Sequence, residues 1–133
     1  MHSLTGTVAV VTGATRGVGR GIATELARQG GRVFVTGRSV ANTTDFARAI
    51  TRIPCDHRVD AEVEAAFQRI LSEGDRLDLL VNNVWGGYER MVDQGEFTWS
   101  KPFWEQPLWR WDAMFAAGVR AHYHDVRRRR AIR

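Results

Sequence analysis

The chain has 133 residues, of which 44% are hydrophobic and 26% charged, a composition typical of one folded domain. No apolar run approaches the ~20 residues of a membrane span, and no leader-like segment follows Met1, so we expect a cytoplasmic protein. Cys55 is the only cysteine, which excludes an internal disulfide, and we interpret it as a small buried residue at a strand end.

The net charge of +4 is concentrated at the end of the chain. Of the 19 Lys and Arg residues only Lys101 is lysine, and the excess is carried by Arg127–Arg130 and Arg133. We interpret 125–133 as an arginine-rich tail and 1–124 as the folded part. Nucleic-acid binding through this tail is the least favoured function, because no basic patch elsewhere extends it.

Apolar periodicity predicts alternating strands and helices, which indicates an α/β fold with a parallel sheet and right-handed crossovers. The predicted strands are Thr7–Thr12, Arg32–Thr36, Ala49–Cys55 and Leu77–Val81. The predicted helices are Gly17–Gln29, Asn42–Ala49, Asp60–Glu73 and Leu108–Tyr123. We expect Asn42–Ala49 to be trimmed or irregular, because that connection is short, and we expect Asp60 to cap its helix. The aromatic stretch between Val84 and Pro107 is interpreted as a loop with one or two helical turns.

A glycine-rich loop, Thr12–Gly19, joins the first strand to the first helix. Gly13 permits a tight turn, Gly17 a close approach of the backbone to phosphates, and Gly19 close packing of the helix on the strand. Unpaired N–H groups at the start of the helix would face an anion. The alternative is a glycine-rich turn without a ligand, as many α/β domains contain.

The spacing Gly-x-x-x-Gly-x-Gly, with a preceding threonine, resembles the cofactor loop of the short-chain dehydrogenase/reductase family. The resemblance implies a Rossmann-type doubly wound parallel sheet, incomplete here, with about four strands in the order 3-2-1-4. It also implies dinucleotide binding by the residues of the loop. These are Gly13, Thr15, Arg16, Gly17, Val18 and Gly19.

The end of the second strand, Thr36–Ser39, lacks the acidic residue that usually binds the ribose hydroxyls of NAD. Arg38 stands there instead, and Arg16 lies in the glycine loop. A planar guanidinium binds phosphate with two hydrogen bonds, so we expect NADP(H) rather than NAD(H). The alternative for Arg38 is a solvated loop arginine.

Two further strand ends resemble the family. Asp56, after the third strand, resembles the aspartate that contacts the adenine, or else is an ordinary loop carboxylate; the adjacent His57 is expected to be exposed. Asn82, Asn83 and Val84, after the fourth strand, resemble the Asn-Asn-Ala-Gly element that lies along the cofactor, in which the first Asn holds the sheet. Their alternative role is to stabilise a turn.

Family members are roughly twice as long and catalyse with a Ser and a Tyr-x-x-x-Lys pair in the second half, where Lys lowers the pKa of Tyr. This sequence has no counterpart of them, and we assign no catalytic residue and no metal ligand; Tyr123 lies too early to serve. Gly118 occupies the place of a further family Asn. We therefore expect an oxidoreductase-family chain that binds NADP(H) without turnover, and a carbonyl or alcohol substrate only in a completed protein.

The alternative is a non-catalytic module that binds NADP(H) or associates with other subunits. Leu79–Val81 would form an apolar sheet edge, and such an edge favours self-association.

Overall fold

A four-stranded parallel sheet forms the centre of the computed structural model, which describes residues 3–131. The strands are β1 (Val8–Val11), β2 (Arg32–Gly37), β3 (Ile50–Pro54) and β4 (Leu79–Val81). Their order, β3-β2-β1-β4, is the predicted one. Val10 of β1 lies beside Phe34 of β2 and Leu80 of β4.

Helices follow the strands as the alternation predicts. They are α1 (Gly17–Arg28), α2 (Asp60–Gly74), α3 (Leu108–Phe115) and α4 (Ala121–Ala131), with a π-helical stretch, Ala116–Arg120, joining the last two. A small antiparallel hairpin of β5 (Val92–Asp93) and β6 (Glu96–Phe97) and a 3₁₀ turn, Phe103–Glu105, lie within the predicted aromatic loop.

Apolar side chains cover both faces of the sheet, because successive residues of each strand point to opposite sides. Val10 and Phe34 pack with Ile70 of α2 on one face. Val11 and Val33 pack on the other face, where Ala23 of α1 joins them. This arrangement is doubly wound, and it brings the carboxyl ends of all four strands to one edge of the sheet.

Two predicted local features are wrong. The predicted helix Asn42–Ala49 does not form. The crossover contains only a 3₁₀ turn, Val40–Asn42, and is irregular, which its short length led us to expect. Asp45 in this segment is held by Arg20 at 2.9 Å, and the carbonyl of Thr43 accepts from Arg52. Asp60 does not cap α2, because its carboxylate accepts two hydrogen bonds from Arg120 instead.

The last helix continues beyond its predicted end at Tyr123. α4 runs to Ala131, and Asp125, the first residue of the predicted tail, is fully buried. Polar contacts rather than an apolar stripe hold it in place: Arg128 pairs with Glu64 of α2, and Arg129 donates to the carbonyl of Asp78 at 3.0 Å. Arg133 lies outside the described residues.

The outer edge of β4 has no partner strand within residues 3–131, and Leu79 there is 37% exposed. α3 and the π-helical stretch that follows it add an exposed apolar stripe that includes Trp111, Phe115 and Val119. No helix in the described part of the chain is long and apolar enough to cross a membrane.

We predict that the chain self-associates through the β4 edge and that Leu79→Lys weakens this association, because a charge on an edge strand opposes pairing with another chain. Sedimentation velocity over a concentration series measures the effect. Val92→Lys, an equally large change at a 61% exposed position of the β5–β6 hairpin, is the control. A wild-type chain that stays monomeric at all concentrations would contradict the prediction.

Candidate functional site

A cavity of about 670 Å³ opens where the carboxyl ends of the four strands meet. Nine of the eleven residues that the sequence predicts for cofactor binding line it. These are Gly13, Thr15, Arg16, Gly17, Val18, Arg38, Asp56, Asn83 and Val84. Gly19 and Asn82 do not line the cavity. The strand ends thus bring together residues that are as far apart in sequence as Gly13 and Val84.

The glycine loop turns sharply into α1 beside this cavity. Gly13 has φ +65° and Gly17 φ +60°, in the left-handed region that favours glycine, as the predicted tight turn requires at Gly13. α1 begins at Gly17, and Arg16, which precedes it, makes no side-chain cap. The first N–H groups of the helix and its positive dipole end are therefore available to an anion in the cavity.

Asn83 ties the glycine loop to the end of β4. Its side-chain amide donates to the carbonyl of Gly13 at 2.9 Å, and its backbone N–H donates to Thr12 Oγ1 at 3.1 Å. A Cβ on Gly19 would clash with the Asn83 amide, so Gly19 makes room for this tie more than for packing on the strand. Asn83 makes this contact between the loop and β4, and not Asn82, to which the family resemblance assigns the role of holding the sheet. Asn82 Oδ1 is buried and accepts no hydrogen bond from any residue that the structure describes.

Four charged side chains gather at the ends of β2 and β3. Arg58 donates to both carboxylate oxygens of Asp56, at 3.0 and 2.7 Å, and Arg38 donates to Glu89 at 3.4 Å. All four line the cavity. The hydrogen bonds and charge of Arg58, with a smaller effect of Arg38, lower the pKa of Asp56 to about 2 although partial burial opposes the shift.

Arg58 and Glu89 are absent from the predicted set. A signal for Arg58 exists in the sequence, because a cation two residues after a loop carboxylate is well placed to pair with it. For Glu89 there is none, since it belongs to the irregular aromatic segment and reaches the site only through tertiary folding.

The expectation that His57 is exposed is wrong. Its side chain is almost fully buried and lines the cavity. Its Nδ1 donates to Asp125 Oδ1 of α4 at 2.9 Å, and its Nε2 lies 2.6 Å from Thr36 Oγ1 of β2. Cys55 is buried beside the pair as predicted. Burial, with the nearby charge of Asp125, raises the pKa of its thiol to about 12, so the thiol is protonated at neutral pH.

The aromatic segment closes one side of the cavity. Trp85, Tyr88 and Trp99 form a ladder with ring centroids 6.1 and 5.1 Å apart, of which Trp85 and Tyr88 line the cavity. A Cβ on Gly118 would lie 2.9 Å from the Trp85 ring, so the ring occupies the space that a larger side chain would need there. His122 Nε2 donates to the carbonyl of Val84 at 2.8 Å and fixes the segment to α4.

The buried guanidinium of Arg110 holds the far end of this segment. It donates to Thr98 Oγ1 at 2.7 Å and to the carbonyl of Arg90 at 3.1 Å, and it lies over the rings of Trp99 and Trp109. Within residues 3–131 no three His, Cys, Asp or Glu side chains are grouped so as to hold a metal ion.

The model of the short chain dehydrogenase family matches residues 7–128. The human "Dehydrogenase/reductase SDR family member 1" is 37% identical over an alignment of 128 residues, which covers 90% of this chain and 40% of that protein. The mouse protein of the same name is 38% identical over 126 residues, covering 89% of this chain and 39% of its own length.

Solved structures share the fold. The 3-ketoacyl-(acyl-carrier-protein) reductase from Brucella melitensis, complexed with NADH, has a TM-score of 0.78 at 27% identity over 94% of this chain and 49% of its own. The Pseudomonas aeruginosa RhlG/NADP active-site complex has a TM-score of 0.77 at 27% identity, over 99% of this chain and 51% of its own. The chain therefore spans no more than about half the length of these relatives.

We predict that Asp125→Ala lowers the free energy of unfolding by about 3 kcal/mol, because it leaves the buried His57 ring without its partner. Urea unfolding followed by circular dichroism measures the change. Asp112→Ala, at an exposed position of α3, is the control and should change stability by less than about 0.5 kcal/mol. Equal effects of the two substitutions would refute a structural role for the His57–Asp125 pair.

The Asp56–Arg58 pair predicts a pH dependence of stability. The pKa of Asp56 is about 2 in the folded chain and about 3.9 in an unfolded one, so its contribution is complete above about pH 4 and is lost as the pH falls toward 2. Arg58→Met should make the acid limb of stability against pH shallower. Arg48→Met, at an exposed arginine, should leave that limb unchanged. An Arg58→Met chain with the wild-type slope would exclude this pair as its source.

Proposed function

Because the chain belongs to the short-chain dehydrogenase/reductase family, we propose that its cavity binds a nicotinamide dinucleotide, with the pyrophosphate at the start of α1. The observation that carries this proposal is the uncapped N-terminus of α1 facing a cavity of about 670 Å³ at the strand ends. Parallel sheets bind ligands at this edge, and helix N-termini bind phosphate groups.

The residues around the cavity fit the remaining parts of such a molecule. Asp56, Asn83 and Val84 all line the cavity, and we propose that Asp56, after β3, contacts the adenine and that Asn83 and Val84 form a wall along the cofactor. The relative from Brucella melitensis whose structure contains NADH has the same fold, which supports a nicotinamide cofactor. When bound, this cofactor would supply hydride chemistry that no amino-acid side chain offers.

We propose NADP(H) rather than NAD(H) as the preferred form. Arg38 lies at the end of β2, where Gly37 and Ser39 offer no carboxylate to a ribose hydroxyl. Its side chain is 56% exposed, so the guanidinium is accessible to a 2′-phosphate, and Arg16 lines the same cavity. A charged hydrogen-bonding group opposite a phosphate favours the phosphorylated cofactor.

For this chain alone we propose cofactor binding without turnover. In a completed family member the reaction would be hydride transfer between the nicotinamide and a carbonyl or alcohol. Lys101, the only lysine, pairs with Glu96 at 2.8 Å in the aromatic segment, away from the cavity. Tyr123 is 65% exposed and does not line the cavity either. Neither residue is placed to act as the family's catalytic pair.

A second role, subunit association, is favoured by the edge of β4, which has no partner strand within residues 3–131, and by the exposed stripe on α3 and the π-helical stretch. Nucleic-acid binding remains the least favoured, because Arg128 and Arg129 of the basic run are already engaged with Glu64 and the carbonyl of Asp78.

A single thiol, Cys55, buried and unpaired with another cysteine, suits the reducing cytoplasm, where we propose that the chain acts.

We predict that calorimetric titration shows tighter binding of NADPH than of NADH. Arg38→Ala should weaken NADPH binding about tenfold or more and change NADH binding little, because only NADPH carries the phosphate that this guanidinium contacts.

Arg48→Ala is the matched control, since Arg48 is exposed and does not line the cavity. Absence of binding to either dinucleotide would refute the proposed function. Equal losses for both dinucleotides in Arg38→Ala would refute the NADP(H) preference alone.

A further inference from the structure

Glu89 accepts a hydrogen bond from Arg38, the residue that we propose binds the 2′-phosphate of NADP(H). Its Oε1 accepts a hydrogen bond from Arg38 Nη2 at 3.4 Å, and its Oε2 accepts one from the N–H of Gly87 at 2.9 Å. Both Glu89 and Arg38 line the cavity. Burial raises the pKa of Glu89, but backbone N–H groups and Arg38 outweigh it and lower the pKa below its usual value, so the carboxylate is ionised at neutral pH.

The carboxylate comes from a part of the chain remote from β2. The end of β2 itself contains no acidic residue, and the partner of Arg38 lies 51 residues further along, in the aromatic segment. The tertiary fold therefore brings a carboxylate to Arg38, the residue that follows β2, at the strand end where NAD-binding enzymes of this fold carry their acidic residue.

We propose, on the premise that the cavity binds a dinucleotide, that Glu89 is a specificity-determining residue: its carboxylate competes with the 2′-phosphate of NADP(H) for Arg38 and accepts a hydrogen bond from the 2′-hydroxyl of NAD(H). The same side chain thus opposes one cofactor and favours the other. Arg38 alone would give a stronger preference for NADP(H) than the pair gives.

Charge and exposure determine the direction and size of this effect. A phosphate monoester carries a charge of about −1.5 to −2 at neutral pH, so a carboxylate on the same guanidinium repels it. The side chains of Arg38 and Glu89 are 56% and 46% exposed, so Glu89 can move away into water at small cost. Glu89 therefore weakens NADP(H) binding without preventing it.

Arg58 does not replace Arg38 in this competition. Its Nε and Nη2 both donate to Asp56, at 3.0 and 2.7 Å, so its guanidinium is already paired with a carboxylate. Arg38 has the longer, single hydrogen bond to Glu89 and is the guanidinium that a phosphate can more readily take over.

The test is Glu89→Gln in the full chain, which removes the charge and keeps the shape. Calorimetric titrations would use NADPH and NADH, and also adenosine 2′,5′-bisphosphate and ADP, because these fragments isolate the adenosine half. We expect Glu89→Gln to tighten NADPH binding about fivefold and weaken NADH binding about twofold, a change of about tenfold in their ratio. Raising the salt concentration should reduce the change, because exposed charges are screened.

Two controls separate this role from a structural one. Glu105→Gln makes the same charge change at an exposed position outside the cavity and should leave the ratio unchanged. In an Arg38→Ala background, Glu89→Gln should no longer tighten NADPH binding, since the shared guanidinium is gone. The melting temperature of Glu89→Gln should stay close to that of the wild type.

The outcomes distinguish the two proposals. If no variant binds any of the four molecules, the proposed function fails, and the role of Glu89 fails with it. If NADPH binds and depends on Arg38 but Glu89→Gln leaves the NADPH to NADH ratio unchanged, the role of Glu89 is wrong and the proposed function stands. An equal change of the NADPH to NADH ratio in Glu105→Gln would also overturn the role of Glu89.

Discussion

The tie between Asn83 and the glycine loop is the interaction on which the rest of the site depends. By donating to the Gly13 carbonyl and to Thr12 Oγ1, it fixes the turn after β1 against the end of β4. The N-terminus of α1 then faces the cavity in one orientation, so an anion can bind without reordering the backbone. Gly19 is required because any side chain there would displace the Asn83 amide.

Charge around this fixed frame decides what the cavity can bind. The helix N-terminus with Arg16 offers one positive region and Arg38 another, while Asp56 and Glu89 supply negative charge at the rim. Arg58 neutralises Asp56 through two hydrogen bonds, whereas Arg38 and Glu89 share one longer hydrogen bond. The Arg38–Glu89 pair is therefore the adjustable part of the site, and the glycine loop held by Asn83 is the rigid part.

Local patterns predict the strands and the glycine loop, because continuous apolar runs and the positive φ of Gly13 are properties of short segments, whereas the strand order is implied by the family resemblance. Burial of His57 cannot be predicted this way, since it depends on Asp125, 68 residues away on a helix that lacks an apolar stripe. The same holds for Glu89 on Arg38. The contact of Asn83 with the glycine loop depends on which side chain of the Asn82–Asn83 pair faces the loop, and a sequence alone does not specify that.

The central claim, that a dinucleotide binds on the first turn of α1, is tested most directly by amide hydrogen exchange of the chain with and without saturating NADPH. We predict slower exchange in 13–19 and 82–86, the two segments that contain the cavity residues around the Asn83 tie, and unchanged exchange along the outer face of α2. Slower exchange confined to α4, or unchanged exchange in 13–19 while NADPH is bound, would contradict the account.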